Sequence, residues 1–82
     1  MKTLLYFTAP WCENCQALDS TMSALPGRGI PVEKINIDYE ANRAKQANVQ
    51  NIPAVILVEN GRELKRFVGV KSLDFITQFY NS

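Results

Sequence analysis

Apolar and polar residues recur along the chain in patterns that predict four β-strands and three helices. The nearly continuous apolar run over residues 2–8 is typical of a strand buried within a sheet. Over residues 12–25 the apolar side chains fall three and four positions apart, which predicts an amphipathic helix. Because the run Pro26-Gly27-Arg28-Gly29 follows directly, the helix is expected to end there.

The second half of the chain carries the remaining elements. Further strands are predicted over residues 32–37, 54–58 and 63–68. A short helix is predicted from an N-cap at Asp38 to about Ala47, and a last helix from an N-cap at Ser72. The last helix is expected to turn four side chains inward, namely Leu73, Ile76, Phe79 and Tyr80.

The element order β-α-β-α-β-β-α limits how the strands can pair. A strand-helix-strand unit forms a right-handed crossover between parallel strands. The pair Asn60-Gly61, between the last two strands, is a strong signal for a tight antiparallel hairpin. The sequence therefore predicts one α/β domain over residues 1–82, with a four-stranded mixed sheet and helices on both faces.

Composition and charge indicate which kind of molecule the protein binds. The chain has 82 residues, of which 46% are hydrophobic, enough for one modest core. Nine Lys and Arg residues, scattered among eight Asp and Glu, give no basic surface for nucleic acid or for a membrane. No run reaches membrane-spanning length, and no cleavable leader is recognisable. We expect a soluble, cytoplasmic monomer that acts on other proteins.

The only two cysteines, Cys12 and Cys15, lie three positions apart. A disulfide between them would close so short a loop that it would stabilise the fold by only about 2 kcal/mol. In a reducing compartment such a pair is more often catalytic or metal-binding than structural. A zinc site needs four ligands and the chain has no His, so a metal would have to bridge two chains. Dithiol redox chemistry is the favoured interpretation, with a bridged zinc or iron–sulfur dimer as the alternative.

The predicted helix start gives the two thiols different roles. Cys12 would lie beside free backbone N–H groups and the positive end of the helix dipole, which lower the pKa of a thiol. The exposed carboxylate of Glu13 opposes this effect, but more weakly. Cys15, one turn deeper, is expected to be more buried. This predicts Cys12 as the nucleophile and Cys15 as the resolving thiol.

Several spaced motifs in one order resemble the thioredoxin family, and the resemblance covers nearly all of the chain. The motifs are Ala9-Pro10-Trp11-Cys12, Lys34-Ile35-Asn36-Ile37-Asp38, Asn51-Ile52-Pro53, Asn60-Gly61 and Val68-Gly69. The resemblance implies a thioredoxin fold and a redox-active disulfide with no other cofactor or metal.

The resemblance also implies a substrate-binding role for four residues. Pro53 is expected to be a cis-proline beside the dithiol, and Ile52 to offer its backbone to an extended substrate segment. Trp11 is expected to form an apolar rim next to Cys12, and Gly69 to lie close by. The alternatives are that Pro53 merely starts a strand and that Trp11 belongs to the core.

The departures from the family pattern concern the residues expected to tune the thiol pKa values. Tyr6 stands where thioredoxins carry a buried Asp, and Lys34 is either its neighbour or an ordinary exposed lysine. Glu13-Asn14 replaces the usual Gly-Pro, and Ser20 replaces a helix proline. The protein is expected to lack the extra N-terminal strand and helix of full-length thioredoxins, which gives the chain the size of a glutaredoxin.

The predicted function is that of a thiol–disulfide oxidoreductase that reduces protein disulfides through Cys12-Glu13-Asn14-Cys15. Ribonucleotide reductase is a candidate substrate, and thioredoxin reductase or glutathione a candidate electron donor. One alternative is a glutaredoxin-like enzyme reduced by glutathione. A second is a non-catalytic redoxin-fold subunit of a larger complex.

Overall fold

The computed structural model describes residues 1–82 and contains four strands and three α-helices. The strands are β1 (Lys2–Thr8), β2 (Val32–Asn36), β3 (Ala54–Glu59) and β4 (Arg62–Val68). The helices are α1 (Glu13–Ala24), α2 (Ala41–Gln46) and α3 (Leu73–Asn81), and a 3-10 turn over Pro26–Arg28 follows α1. The predicted order β-α-β-α-β-β-α is therefore confirmed.

The strands form one mixed sheet in the spatial order β2-β1-β3-β4. β1 runs parallel to β2 and antiparallel to β3, which in turn runs antiparallel to β4. At the β3–β4 turn both Asn60 (φ 53°) and Gly61 (φ 83°) have positive φ, as a two-residue hairpin turn with the twist of the sheet requires. The predicted hairpin is confirmed.

Helices cover both faces of the sheet, as expected. On one face α1 and α3 pack against β1 and β3, and Leu18, Met22 and Ile76 are buried there. On the other face the short helix α2 covers a smaller cluster around Phe7 and Ile56. The Oγ of Ser72 accepts the N–H of Phe75, which confirms the predicted cap of α3. None of the three helices is long and apolar enough to cross a membrane.

The predicted N-cap of α2 is wrong, because the helix begins at Ala41 and its N-cap is Glu40 rather than Asp38. The reason lies in the preceding turn, where the carbonyl oxygen of Asn36 accepts the N–H groups of both Tyr39 and Glu40. The side chain of Asn36 accepts the N–H of Asp38. These local hydrogen bonds complete a turn before the helix, and the Asp38 carboxylate is left for another partner.

The C-terminal end of α2 is tied to the sheet by Arg66 of β4. Its guanidinium donates to the carbonyl oxygens of Ala47 (2.7 Å) and Asn48 (3.4 Å), and it pairs with Glu63. Because the last carbonyl groups of a helix have no partner within the helix, Arg66 satisfies groups that would otherwise need water.

The start of β1 and the end of α3 are joined by two reciprocal contacts. The Nζ of Lys2 donates to the carbonyl oxygen of Tyr80 at 2.6 Å, and the Tyr80 hydroxyl donates to the carbonyl oxygen of Lys2 at 3.2 Å. The ammonium group of Lys2 also lies over the Tyr80 ring. Residues separated by nearly the whole chain are thus held together.

Candidate active site

Cys12 is the N-cap of α1, at the point where the turn after β1 becomes a helix. Its N–H donates to the carbonyl oxygen of Ala9, and its backbone is extended (φ −90°). Its Sγ accepts the N–H of Cys15 at 3.2 Å, in the way that a Ser or Asp oxygen caps a helix. A sulfur at this position faces free N–H groups and the positive end of the dipole, which favour a thiolate once the pair is reduced.

The two cysteines are joined in a disulfide, with their Cα atoms 5.2 Å apart. Cys12 is 8% exposed and Cys15 only 1%. Cys15 lies on the inner face of α1 with Leu18 and Met22, as expected from the sequence. The sulfur at the helix start is therefore the one nearer to solvent.

Ile52 packs against the two cysteines, and its bond to Pro53 is cis. The Sγ of Cys12 is 3.9 Å from the carbonyl oxygen of Ile52. The carbonyl oxygen of Pro53 accepts the N–H of Gly69 at 2.9 Å, and Gly69 has φ +99°, a conformation that favours glycine. Neither the N–H nor the carbonyl oxygen of Ile52 has a backbone partner. An unpaired strip of backbone thus lies next to the outer sulfur.

Trp11 is a surface residue, with 66% of its area exposed. Its Nε1 donates to Asp38 Oδ2 at 2.9 Å, the partner that the turn before α2 leaves available. The core alternative for Trp11 is therefore wrong. Glu13 and Asn14, the first two residues of α1, are also exposed.

Tyr6 lies beneath the dithiol and is buried. Its hydroxyl is 2.9 Å from the carbonyl oxygen of Cys15 and 3.2 Å from Oδ1 of Asp19. Burial raises the pKa of this phenol above its ordinary value; the polar side chain of Thr8 acts in the opposite direction, and the charge of Asp19 adds to the rise. Tyr6 is consequently a neutral phenol at physiological pH.

Lys34 is paired with Asp19, at 3.0 Å from Nζ to Oδ1. It stands opposite Tyr6 in the β1–β2 register, so the three side chains form one group, although both charged side chains remain partly exposed. Sequence reasoning did not identify Asp19. A signal was available, because Asp19 follows Cys15 by four positions and such residues share a helix face.

A cavity of about 380 Å³ opens beside this group. It is lined by Thr8, Ala9, Pro10, Cys15, Gln16, Asp19, Lys34, Asn36 and Tyr39. Cys15, the more buried cysteine, therefore borders a space that is large enough for water and that also contains the Lys34–Asp19 pair.

No three His, Cys, Asp or Glu side chains converge as a metal site would require. The two cysteines are bonded to each other and have no third ligand nearby. The arrangement of the site is that of a dithiol and disulfide pair.

Comparison with known proteins points to one family. The family model described as Thioredoxin matches residues 1–82. The thioredoxin of Chlamydia pneumoniae is 35% identical over 80 residues, which cover 95% of this chain and 78% of that protein.

Solved structures agree with this match. A thioredoxin variant from Halobacterium salinarum superposes with a TM-score of 0.92 at 26% identity, covering 98% of this chain and 72% of the other. A malarial protein superposes with a TM-score of 0.87 at 26% identity, covering 99% of this chain and 94% of the other. The first of these chains is longer than the present one, and the second is of similar length.

Proposed function

Because the chain belongs to the thioredoxin family and is a thiol–disulfide oxidoreductase, we propose that it reduces protein disulfides with Cys12 as the nucleophile and Cys15 as the resolving thiol. The single observation that carries this assignment is the asymmetry of the pair. Cys12 caps α1 and is 8% exposed, whereas Cys15 lies one turn deeper and is 1% exposed. Cys12 is therefore the residue of the pair that a substrate disulfide is expected to reach first.

The reaction has two exchange steps. The Cys12 thiolate attacks one sulfur of the substrate disulfide, forms a mixed disulfide and releases the other substrate sulfur. Cys15 then attacks the Cys12 sulfur, forms the Cys12–Cys15 disulfide and releases the second substrate sulfur. The dithiol loses two electrons and two protons, and the substrate disulfide gains them as two thiols. The short helical turn holds both sulfurs, so neither step needs the rest of the fold to move.

We propose that the substrate docks as an extended segment along the unpaired backbone of Ile52, beside Pro53 and Gly69. The N–H and carbonyl groups of Ile52, which have no backbone partner, and the nearby Cys12 sulfur support this role. We propose that Trp11, which precedes Cys12 in the chain and is 66% exposed, forms an apolar rim for the substrate. Tyr6, Lys34, Glu13 and Asn14 are proposed to set the thiol pKa values.

The family implies disulfide-containing protein substrates and a reductase that regenerates the dithiol. Within that class we propose thioredoxin reductase as the electron donor, with glutathione as the alternative, and ribonucleotide reductase as a candidate substrate. The thioredoxin-like motifs support this choice over a glutathione-dependent enzyme. We further propose that residues 1–82 act as one domain, as a monomer, and in the cytoplasm, where a dithiol is kept reduced.

Trapping the mixed disulfide tests the roles of the two cysteines. Cys15→Ser is expected to accumulate a covalent adduct with a disulfide-bonded protein through Cys12, and Cys12→Ser is expected to trap nothing. Mass spectrometry of the digested adduct identifies the attached cysteine. An adduct on Cys15 in the Cys12→Ser protein would reverse the assignment.

The electron donor is tested separately. The oxidised wild-type protein is incubated with NADPH and thioredoxin reductase in one arm, and with NADPH, glutathione reductase and glutathione in the other. We expect rapid NADPH consumption in the first arm. Faster NADPH consumption in the second arm would establish the glutaredoxin-like alternative. The non-catalytic alternative would be supported if the double variant Cys12→Ser, Cys15→Ser still bound fully to the other subunits of a larger complex.

A further inference from the structure

The Tyr6 hydroxyl lies between two oxygen atoms and cannot donate a hydrogen bond to both at the same time. It is 2.9 Å from the carbonyl oxygen of Cys15 and 3.2 Å from Oδ1 of Asp19. A phenol has one proton to donate, and a carbonyl oxygen has none. If Tyr6 donates to Cys15, its contact with Asp19 becomes a hydrogen bond only when the carboxyl group is protonated and donates to the phenol oxygen.

This geometry gives the Asp19 carboxyl group a partner in either protonation state. As a carboxylate it accepts from Tyr6 and from the Lys34 ammonium group. As a neutral acid it donates to Tyr6, which then donates to the Cys15 carbonyl. Protonation of Asp19 thus reverses the direction of the Tyr6–Asp19 hydrogen bond without breaking it, and no side chain has to move.

The same cavity connects Asp19 with Cys15. Both residues line the space of about 380 Å³, which is large enough for water to link them. The other titratable side chains that line it are Lys34 and Tyr39, and Tyr6 borders Asp19 from β1. Asp19 is the only carboxylate on the cavity wall, and the chain contains no His.

We propose that Asp19 is the general base that accepts the Cys15 proton, through water in the cavity, when the mixed disulfide is resolved. The inference rests on the proposed roles of the two cysteines. As the Cys15 proton moves to the Asp19 carboxylate, the Cys15 sulfur bonds to the Cys12 sulfur and the bond from Cys12 to the substrate sulfur breaks. The substrate leaves as a thiolate and takes a proton from solvent, and Asp19 later returns its proton to solvent through the same opening.

Lys34 and Tyr6 act as positioning residues in this scheme. The Lys34 ammonium group holds the carboxylate at the cavity wall, and the Tyr6 hydroxyl orients it. In this scheme Asp19, on α1 and four positions after Cys15, replaces the strand carboxylate of thioredoxins, where this chain has Tyr6.

Stopped-flow kinetics with the chromogenic disulfide dithiobis(nitrobenzoate) separate the two exchange steps. Attack by Cys12 releases one thionitrobenzoate, and resolution by Cys15 releases the second. In Asp19→Asn, which keeps the size of the side chain, we expect the first phase to stay within about twofold of wild type. The second phase is expected to slow by at least tenfold at neutral pH, because a general base typically contributes about 10²–10⁴-fold.

Two further readouts distinguish a base from a structural residue. In Asp19→Asn the rate of the second phase is expected to rise about tenfold per pH unit from pH 6 to 8, because Cys15 then ionises only by losing its proton to solvent. Added imidazole is expected to restore the second phase in proportion to its concentration. Asp19→Glu is expected to recover most of the wild-type rate, since it keeps a carboxylate.

Two control variants show whether a change in either kinetic phase is specific to Asp19. Glu59→Gln removes a carboxylate at the far end of the sheet and is expected to change neither phase, whereas Cys15→Ser is expected to show only the first phase. An unchanged second phase in Asp19→Asn, or an equal slowing of both phases, would overturn the role of Asp19. If the wild-type protein itself released no thionitrobenzoate in a first phase, the proposed role of Cys12 would be overturned instead.

Discussion

Replacing Trp11 by Ala tests whether the apolar rim beside Cys12 binds protein substrates. The indole is 66% exposed and makes one side-chain hydrogen bond, with Asp38 at the surface. Its removal leaves the core intact, so the stability of the fold is expected to change by less than about 1 kcal/mol. Any larger effect on the reaction must therefore come from contact with the substrate.

The exposed area sets the size of that effect. An aromatic side chain buries about 150–250 Å² when fully covered, so the exposed two-thirds of Trp11 offers roughly 100–165 Å². At about 25 cal/mol per Å², full coverage would contribute roughly 2.5–4 kcal/mol. A substrate strand lying across one side of the ring would cover about half of it. We expect a loss of about 1–2 kcal/mol, which is roughly a 5–30-fold fall in kcat/KM.

The assay compares two substrates with the same enzyme. The reduction of insulin disulfides is expected to show the fall, whereas the reduction of a small aromatic disulfide, which has no peptide strand to lie across the indole, is expected to stay within about twofold of wild type. Leu64→Ala, which removes an apolar side chain that is 41% exposed near the β3–β4 hairpin, serves as the control. Equal losses on both substrates would refute the docking role and show that Trp11 acts on the thiol itself.

Three further changes test the framework of the site. Arg66→Ala leaves the carbonyl groups at the C-terminal end of α2 without their donor and is expected to cost about 1–2 kcal/mol, measured as a thermal midpoint lower by roughly 5–15 °C. Gly69→Ala places a side chain at φ +99° and is expected to cost about 1–3 kcal/mol in urea unfolding, whereas Gly27→Ala, at an unstrained and open position, is expected to be nearly neutral. The hydrogen bond from Arg43 lowers the pKa of the Glu33 carboxyl group, so its stabilisation is present above the ordinary value of about 4.5 and is lost as the pH falls through the depressed one. The difference in stability between wild type and Glu33→Gln is therefore expected to be below about 1 kcal/mol at pH 7 and to shrink as the pH falls below about 4.5, and a difference that grows with acidification would contradict this.

The fold was predictable from the sequence because its signals are local. The pair Asn60-Gly61 determines the hairpin through the φ angles that only a few residues adopt easily, and Ser72 caps α3 through one short hydrogen bond. The N-cap of α2 could not be predicted in the same way. Asp38 and Glu40 are both plausible caps, and the choice depends on the hydrogen bonds that Asn36 makes within the turn.

The candidate site was predictable only in part, since much of it is built from elements distant in the chain. The dithiol and its proline followed from motifs, and the greater burial of Cys15 followed from helical periodicity. Tyr6, Asp19 and Lys34 meet only because β1, α1 and β2 pack together, and sequence spacing does not give the distances between them. Tyr6 stands where thioredoxins carry a buried Asp, whereas the structure places a carboxylate, Asp19, on the adjoining helix.

The reciprocal contacts between Lys2 and Tyr80 determine where the protein can be linked to a fusion partner or a solid support. β1 begins at Lys2 and runs for about 20 Å to Thr8, which leads into the turn that carries Cys12. Both chain ends therefore lie at the pole of the sheet opposite the reactive sulfur. A fusion partner or a solid support linked ahead of Lys2 or beyond Tyr80 leaves the dithiol facing outward, so an immobilised column of this protein would keep its reactive surface free to capture substrates.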